Sequence, residues 1–231
     1  MFSLFSPSVE QQRLNQLKKL PDGPVRDYLE TPFPDLKGSI FSTPIVSLDF
    51  ETTGLDPKKD HLLSAGYVEM YNEEIFLGTA VHSLVQTKQD LPEESVVIHG
   101  ITDDIMAEGS KVQTIVEEML QAFKGKIILA HHAAIERNFL TQACKNLYGH
   151  APVLPMIDTL ELARQWFDRR QMHFSPNELR LYALRERHHL PRYQAHNALV
   201  DALATAELLL AIIEYMGNAH KLPLKRFINK R

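Results

Sequence analysis

The stretch that most constrains this chain is Ile45 to Pro57, which reads IVSLDFETTGLDP. Ile45, Val46, Leu48 and Phe50 are β-favouring apolar residues and Thr53-Gly54 supplies a stop, so the segment predicts a β-strand. Side chains alternate across a strand. Val46, Leu48 and Phe50 therefore share one face, and Ser47, Asp49 and Glu51 share the other. Two acids two residues apart lie roughly 6–7 Å from each other on one face. No lysine precedes Lys58 on the C-terminal side of this pair. Buried carboxylates need a partner, and a divalent cation is one, because hard cations such as Mg²⁺ take carboxylate oxygens. A strand end open to water, with two solvated acids, satisfies the same need, and both readings stand at this point.

The 231 residues suffice for one good-sized domain with extensions. A net charge of -4 means that any nucleic-acid binding must use a local patch. The single cysteine, Cys144, excludes an internal disulfide framework and fits a reducing compartment. It lies in a helical pattern and reads as a small buried apolar residue. No apolar run reaches about 18 residues, so no membrane partner is expected. The start, MFSLFSPSVEQQR, lacks a basic region and a long apolar core, which argues against a secretory signal. The expected location is cytoplasmic.

Three regions are expected: an extension over 1–43, a main domain over 44–216 and a basic tail over 217–231. In the extension, Val9 to Leu20 predicts one helix capped by Ser8, and the prolines from Pro21 to Pro34 predict irregular chain up to the first strand. His61 to Tyr71 and Glu74 to Gln86 predict two strands of a hairpin turning at Asn72-Glu73. Ser95 to Ile101 predicts a short helix, with a helix cap at Thr102-Asp103-Asp104. Ser110 to Phe123 predicts a helix that Gly125 stops, with Val112, Ile115, Val116, Met119 and Leu120 at three- and four-residue spacing. A buried strand follows over Lys126 to Ala130, then a helix over Ala133 to Leu147 and a strand over Val153 to Ile157. Helices are expected over Leu160–Arg169, Asn177–Arg187 and Asn197–Met216. Alternating strands and helices favour parallel pairing. The expected fold is α/β, a mixed sheet of about five strands with helices on both faces.

Two further places carry candidate chemistry. Asn197 is a good N-cap, which leaves His196 in the loop before the last helix and Asp201 about one turn inside it, where the helix dipole tolerates an anion. A histidine on a loop suits a mobile proton acceptor, and an aspartate on a helix suits a fixed ligand. Glu136 lies on the first turn of the helix after the buried strand.

Taken together these stretches resemble the three motifs of the DEDDh superfamily, the DnaQ-like 3′–5′ exonucleases. Asp49-Phe50-Glu51-Thr52-Thr53-Gly54 matches the first motif. The strand ending in His131, the helix after it and Phe139-Leu140 match the second, and His196 with Asp201 matches the third. Between them, Ile98-His99-Gly100-Ile101-Thr102 and Asp158-Thr159-Leu160-Glu161-Leu162-Ala163-Arg164 match two further family segments. The resemblance covers about residues 44–215 in the correct order. It departs at Ile135-Glu136, where the family usually has Phe-Asp, and at His132, where it has Asn. Glu keeps the charge and adds one methylene, which a small helix shift or an intervening water can absorb.

The resemblance implies a ribonuclease H-like, three-layer α/β/α fold and hydrolysis of 3′-terminal phosphodiesters to nucleoside 5′-monophosphates. It implies two Mg²⁺ or Mn²⁺ ions, with Asp49 bridging them and Glu51, Glu136 and Asp201 completing their shells. His196 takes the proton of the attacking water, a role that the ordinary histidine pKa suits. Thr52, Thr53, Gly54 and Leu55 cradle the terminal nucleotide, Leu55 as a wedge against the base, with His99 in the same pocket. Four carboxylates around one point repel, so their pKa values are expected to rise without metal. Asp158 is expected to organise the second-motif region rather than to bind metal.

The implied partner is nucleic acid with a free 3′ end, DNA in preference to RNA. Arg164 to Arg192 holds seven arginines against three acids, and Lys221 to Arg231 holds five cations and no acid. Either could follow a phosphate backbone. Phe2-Ser3-Leu4-Phe5 faintly resembles peptides that bind the bacterial sliding clamp, without their usual glutamine. A polymerase or sliding clamp is thus a candidate partner. An exoribonuclease, and a non-catalytic binding subunit that keeps the fold, remain the competing readings.

Overall fold

A computed structural model describes residues 7–86, 108–217 and 222–228. Phe2-Ser3-Leu4-Phe5, the helix expected over Ser95–Ile101, its cap at Thr102-Asp103-Asp104, and His99 lie outside them.

The first strand, β1 (Ile45–Thr52), is the central strand of a five-stranded sheet. β2 (Leu62–Tyr71) pairs antiparallel with it, and β3 (Glu74–Leu84) continues the hairpin at the sheet edge. Asn72 and Glu73 both have positive φ, as a two-residue turn matched to strand twist requires. On the other side of β1 lie β4 (Ile127–Ala130) and β5 (Met156–Asp158), both parallel, giving the order β3-β2-β1-β4-β5. The mixed sheet follows from the two kinds of connection: a tight turn allows antiparallel pairing, and a helix crossover allows parallel pairing.

The strict alternation along β1 sorts the core into two layers. Val46, Leu48 and Phe50 join Ile128 and Ala130 on one face, packed against α3 (Val112–Ala122) and α4 (Ala134–Tyr148). Ile45 joins Ile127, Leu129 and Ile157 on the other, beneath the long helix α7 (Ala198–Met216) and α5 (Thr159–Arg169). This is the three-layer, ribonuclease H-like arrangement that the motif resemblance implies. Cys144 is buried in the first layer, as its helical setting suggests.

Three expectations need correction. The N-terminal segment holds two helices rather than one: α1 (Val9–Leu17), capped by Ser8, and α2 (Pro24–Glu30). Pro24 sits in the first turn of α2, where its missing N–H costs nothing and its fixed φ is already helical. Tyr28 and Leu29 of α2 enter the first core layer. The helix expected over Asn177–Arg187 is broken. A 3₁₀ turn over Pro176–Leu179 gives way at Arg180, whose ψ of 148° is extended, to the short helix α6 (Leu181–Arg187). Finally, β5 begins at Met156 instead of Val153 and runs on to Asp158.

Gly66 decides how close α7 comes to the sheet. It pairs with Asp49 across β1 and β2, and a Cβ there would overlap the backbone of Ala198 and Leu199. A glycine inside a strand often marks such a close approach. Ser47, on the same face, donates from Oγ to the carbonyl of Ala202 at 2.6 Å and fastens α7 down. Gly66→Ala is therefore expected to cost about 1–3 kcal/mol, the usual range for overpacking, and to lower activity beyond that loss, because it displaces the turn carrying Asp201. Thermal melting and turnover of the folded fraction, measured together, check this; an unchanged melting temperature contradicts it.

Candidate active site

Asp49 and Glu51 leave the α7 face of β1 near its C-terminal end, and Asp201 comes down from the first turn of α7. Carboxylate oxygens of these three residues all lie within 4.8 Å of one another. Each approach has a local cause. Strand alternation puts Asp49 and Glu51 on one side. Asn197 caps α7 by accepting the Val200 N–H at 3.1 Å, which fixes where the helix starts. Gly66 lets that start reach the sheet.

Asp201 is held from two sides. Its Oδ1 accepts a hydrogen bond from the hydroxyl of Tyr182 on α6, and its Oδ2 accepts the backbone N–H of His196 at 3.0 Å. His196 itself stands in the loop before the helix with φ of 68°. Tyr182 has no signal in the sequence, because its contact exists only once α6 folds across α7. Gly66 did carry one, as a glycine interrupting a strand pattern.

Glu136 occupies the first turn of α4 and is 2% exposed. Its oxygens stand beside the group of three rather than within it, and its Oε2 has no hydrogen-bond partner among the described residues. Burial pushes its carboxyl up to about 8, with the charges of Asp158 and Glu51 adding to the rise and Arg137 opposing it. Asp49 is raised well above the usual carboxylate range by burial first, then by Glu136, Asp201 and Glu51. Burial also raises Asp201, against the hydrogen bonds from Tyr182 and His196. These three groups rise, with burial as the largest cause at each and repulsion between the carboxylates, the cause expected, behind it.

An unpaired buried carboxylate oxygen beside three converging carboxylates is a donor set that lacks positive charge. It fits hard divalent cations, which take oxygen ligands. Asp49, Glu51 and Asp201 would hold them.

Asp158 does not join this group. Its Oδ1 accepts the N–H groups of His132 at 3.0 Å, Leu160 at 3.0 Å and Glu161 at 3.4 Å, and its Oδ2 accepts that of Ala133 at 3.1 Å. One carboxylate thus caps α5 and ties down the turn that delivers Glu136, which is the organising role expected of it. His131 adds to this brace through a 2.8 Å contact between Nδ1 and the Thr159 hydroxyl, and burial pushes its imidazole down to about 4.

The loop after β1 is fixed by its own polar groups. Thr52 donates from Oγ1 to the Gly54 carbonyl at 2.7 Å, and the Thr53 hydroxyl accepts the His61 N–H at 2.9 Å. Asp60 accepts the Asp56 N–H at 2.8 Å, and its carboxylate fills the space that a Cβ on Gly54 would need. Leu55 projects from this braced loop and is 73% exposed.

The arginine-rich stretch is not the open cationic track that its count suggests. Arg185 is 1% exposed, bonded to the carbonyls of Ala204 and Pro191 and to Glu207. Arg164 pairs with Glu161 and Asp168, and Arg192 with Glu186. Arg170 and Arg187 lie over the Trp166 ring. Much of the excess charge is used within the fold.

The family model described as RNase_T, exonuclease, matches residues 46–209. Over 174 residues the chain is 32% identical to the PolC-type DNA polymerase III of Thermotoga maritima, a match covering 74% of this chain and 12% of that polymerase. Over 172 residues it is 28% identical to the DNA polymerase III subunit epsilon of Buchnera aphidicola, covering 71% of this chain and 68% of that subunit. The chain thus spans about an eighth of the length of the PolC-type relatives it matches. Among solved structures, Exonuclease X in complex with 5′ overhanging duplex DNA matches with a TM-score of 0.58 at 22% identity, over 78% of this chain and 97% of that one. The E. coli ExoI–ssDNA complex matches with a TM-score of 0.67 at 16% identity, over 77% of this chain and 42% of that one. These two likenesses concern the fold.

Proposed function

Because the chain belongs to the RNase_T exonuclease family, we propose that it is a metal-dependent 3′–5′ exonuclease acting on single-stranded DNA ends and releasing nucleoside 5′-monophosphates. The observation that carries this reading is the convergence of Asp49, Glu51 and Asp201 within 4.8 Å, with Glu136 buried beside them. Two Mg²⁺ or Mn²⁺ ions held by these carboxylates would supply an activated water, charge relief on the phosphoryl oxygens and stabilisation of the leaving alkoxide.

The chain's own groups have distinct tasks. The four carboxylates supply oxygen ligands. Tyr182 and the His196 N–H keep Asp201 aimed. The His196 imidazole, on its loop, accepts the proton of the attacking water. Thr52, Thr53 and Gly54 hold the terminal nucleotide through a braced loop, and Leu55 wedges against its base. Residues 44–216 hold this machinery, and the flanking stretches contribute to its core through Tyr28, Leu29, Leu224 and Phe227.

The DNA preference draws on the relatives, whose names place them with DNA polymerase III, and on neighbours solved with DNA. The same names support a role beside a polymerase and a cytoplasmic location, while a clamp contact at Phe2-Ser3-Leu4-Phe5 draws on the sequence alone. Among the described residues no helix is long and apolar enough to cross a membrane.

The test uses 5′-labelled single-stranded, recessed and blunt DNA, and RNA of the same sequence, with Mn²⁺, Mg²⁺ or EDTA. The expected result is a ladder shortening from the 3′ end of single-stranded DNA, at least about tenfold faster than on RNA, a margin of about 1.4 kcal/mol, and none in EDTA. Equal cleavage of both polymers contradicts the DNA preference. An inactive native chain that Glu136→Asp makes active supports the non-catalytic subunit instead.

A further inference from the structure

A groove of about 780 Å³ opens between the first turn of α4, helix α5 and the C-terminal segment. Five cationic side chains line it: Arg137, Arg164, Arg169, Lys225 and Arg226. The carboxylates among its lining residues are Asp158 and Glu161. Both are already engaged, Asp158 by four backbone N–H groups and Glu161 by Arg164 and Gln165. Among the described residues, Arg169, Lys225 and Arg226 form no ion pair with a carboxylate, and all three are exposed. The groove therefore has surplus positive charge on a chain whose net charge is -4.

The segment that carries Lys225 and Arg226 is anchored rather than loose. Leu224 and Phe227 are buried beneath it in the second core layer. Its backbone is held by the Leu224 N–H to the Gly38 carbonyl and the Lys225 N–H to the Leu36 carbonyl, both at 2.8 Å. Ile228 then bridges antiparallel to Ile157, which directs residues 225–227 toward the Asp158 end of β5. That is the end of the sheet where the carboxylates gather. Ala134 and Arg137 belong both to the groove and to the turn of α4 that carries Glu136.

We propose that this groove holds the sugar–phosphate backbone of the nucleic-acid strand upstream of its scissile 3′ end, with Arg169, Lys225 and Arg226 each meeting a phosphate. A polyanion entering a ring of carboxylates needs a cationic path beside it, and fixed cations on an anchored turn supply one at little cost in ordering. The occupant is a backbone rather than a stacked base, because the aromatic residue in the lining, Phe227, is 2% exposed. The inference rests on the hydrolytic reading of the carboxylates.

The test compares the full chain with Arg169→Ala/Lys225→Ala/Arg226→Ala on two substrates: a single-stranded 12-mer and the 4-nitrophenyl ester of thymidine 5′-monophosphate, which has no upstream phosphate. Expected is a loss of about tenfold or more in kcat/KM on the 12-mer, with ester hydrolysis within about twofold of the parent. The salt dependence of 12-mer binding, followed by fluorescence anisotropy, flattens by about 2 in log–log slope, at roughly 0.7 per phosphate contact on a single strand. The charge-keeping variant Arg169→Lys/Lys225→Arg/Arg226→Lys retains both. An unchanged slope, or equal loss on both substrates, overturns the proposal. A parent chain that hydrolyses neither substrate overturns the hydrolytic reading instead, and the anisotropy slope still decides the groove.

Discussion

Asp49→Asn is expected to lower nuclease turnover by about 10³-fold or more while leaving the chain folded. Asp49 pairs with Gly66 at the middle of the site and feels the charge of Glu136, Asp201 and Glu51 together. Replacing it with a neutral amide of the same size removes one anionic ligand from the point where charge must be offset. Loss of metal-assisted charge stabilisation is worth several kcal/mol, and each 1.36 kcal/mol is tenfold in rate. The variant also relieves repulsion in the metal-free protein, so its melting temperature above neutral pH is expected to hold or rise. Steady-state assay and calorimetry on one preparation check both halves. Activity within tenfold of the parent would show that the reaction does not run through this group.

The second large effect links pH to metal. Glu136 has its carboxyl raised from 4.5 to about 8, and Asp49 and Asp201 are raised as well. A carboxyl whose folded pKa lies above its unfolded value binds more protons when folded. Stability then falls as pH rises between the two values. For Glu136 that window runs from about 4.5 to about 8, so the metal-free chain is expected to melt at lower temperature at pH 8 than at pH 5. Divalent metal opposes this, because it binds the deprotonated ligands and releases protons. Manganese at about a hundred times its dissociation constant adds about 2.7 kcal/mol, or roughly 5–10 °C for a domain of this size. The gain is expected at pH 8 and to shrink toward pH 5. Melting curves at both pH values, with and without Mn²⁺, check the sign; a metal-free chain most stable at pH 8 would contradict it.

What the sequence carried, it carried through local rules. Alternation put Asp49 and Glu51 on one face, Asn72-Glu73 closed the hairpin, and Asn197 set the start of α7. These depend on residues adjacent in sequence. Pro24 opens a helix although proline also ends them, and its position just after Gly23 decides which. The break at Arg180 depends on burial of Leu181, Leu184 and Arg185 against α7, which no local pattern reveals. Arginine counting failed for the same reason. Arg185 is spent on Glu207 and Ala204, partners that only the fold brings near. Within the site, Asp49, Glu51 and Asp201 were legible through the ordered motifs that carry them, and the fold brings their oxygens within 4.8 Å of one another. Their supports, Tyr182 on Asp201 and Ser47 on Ala202, span 19 and 155 residues and leave no local trace.

The most direct measurement is anomalous diffraction at the manganese edge from crystals of the full chain soaked in Mn²⁺. The account predicts a strong peak bounded by the carboxylates of Asp49, Glu51 and Asp201, with a second peak toward Glu136, and loss of both in Asp49→Asn. A soaked crystal with no peak there, and with those three side chains turned apart, would contradict it.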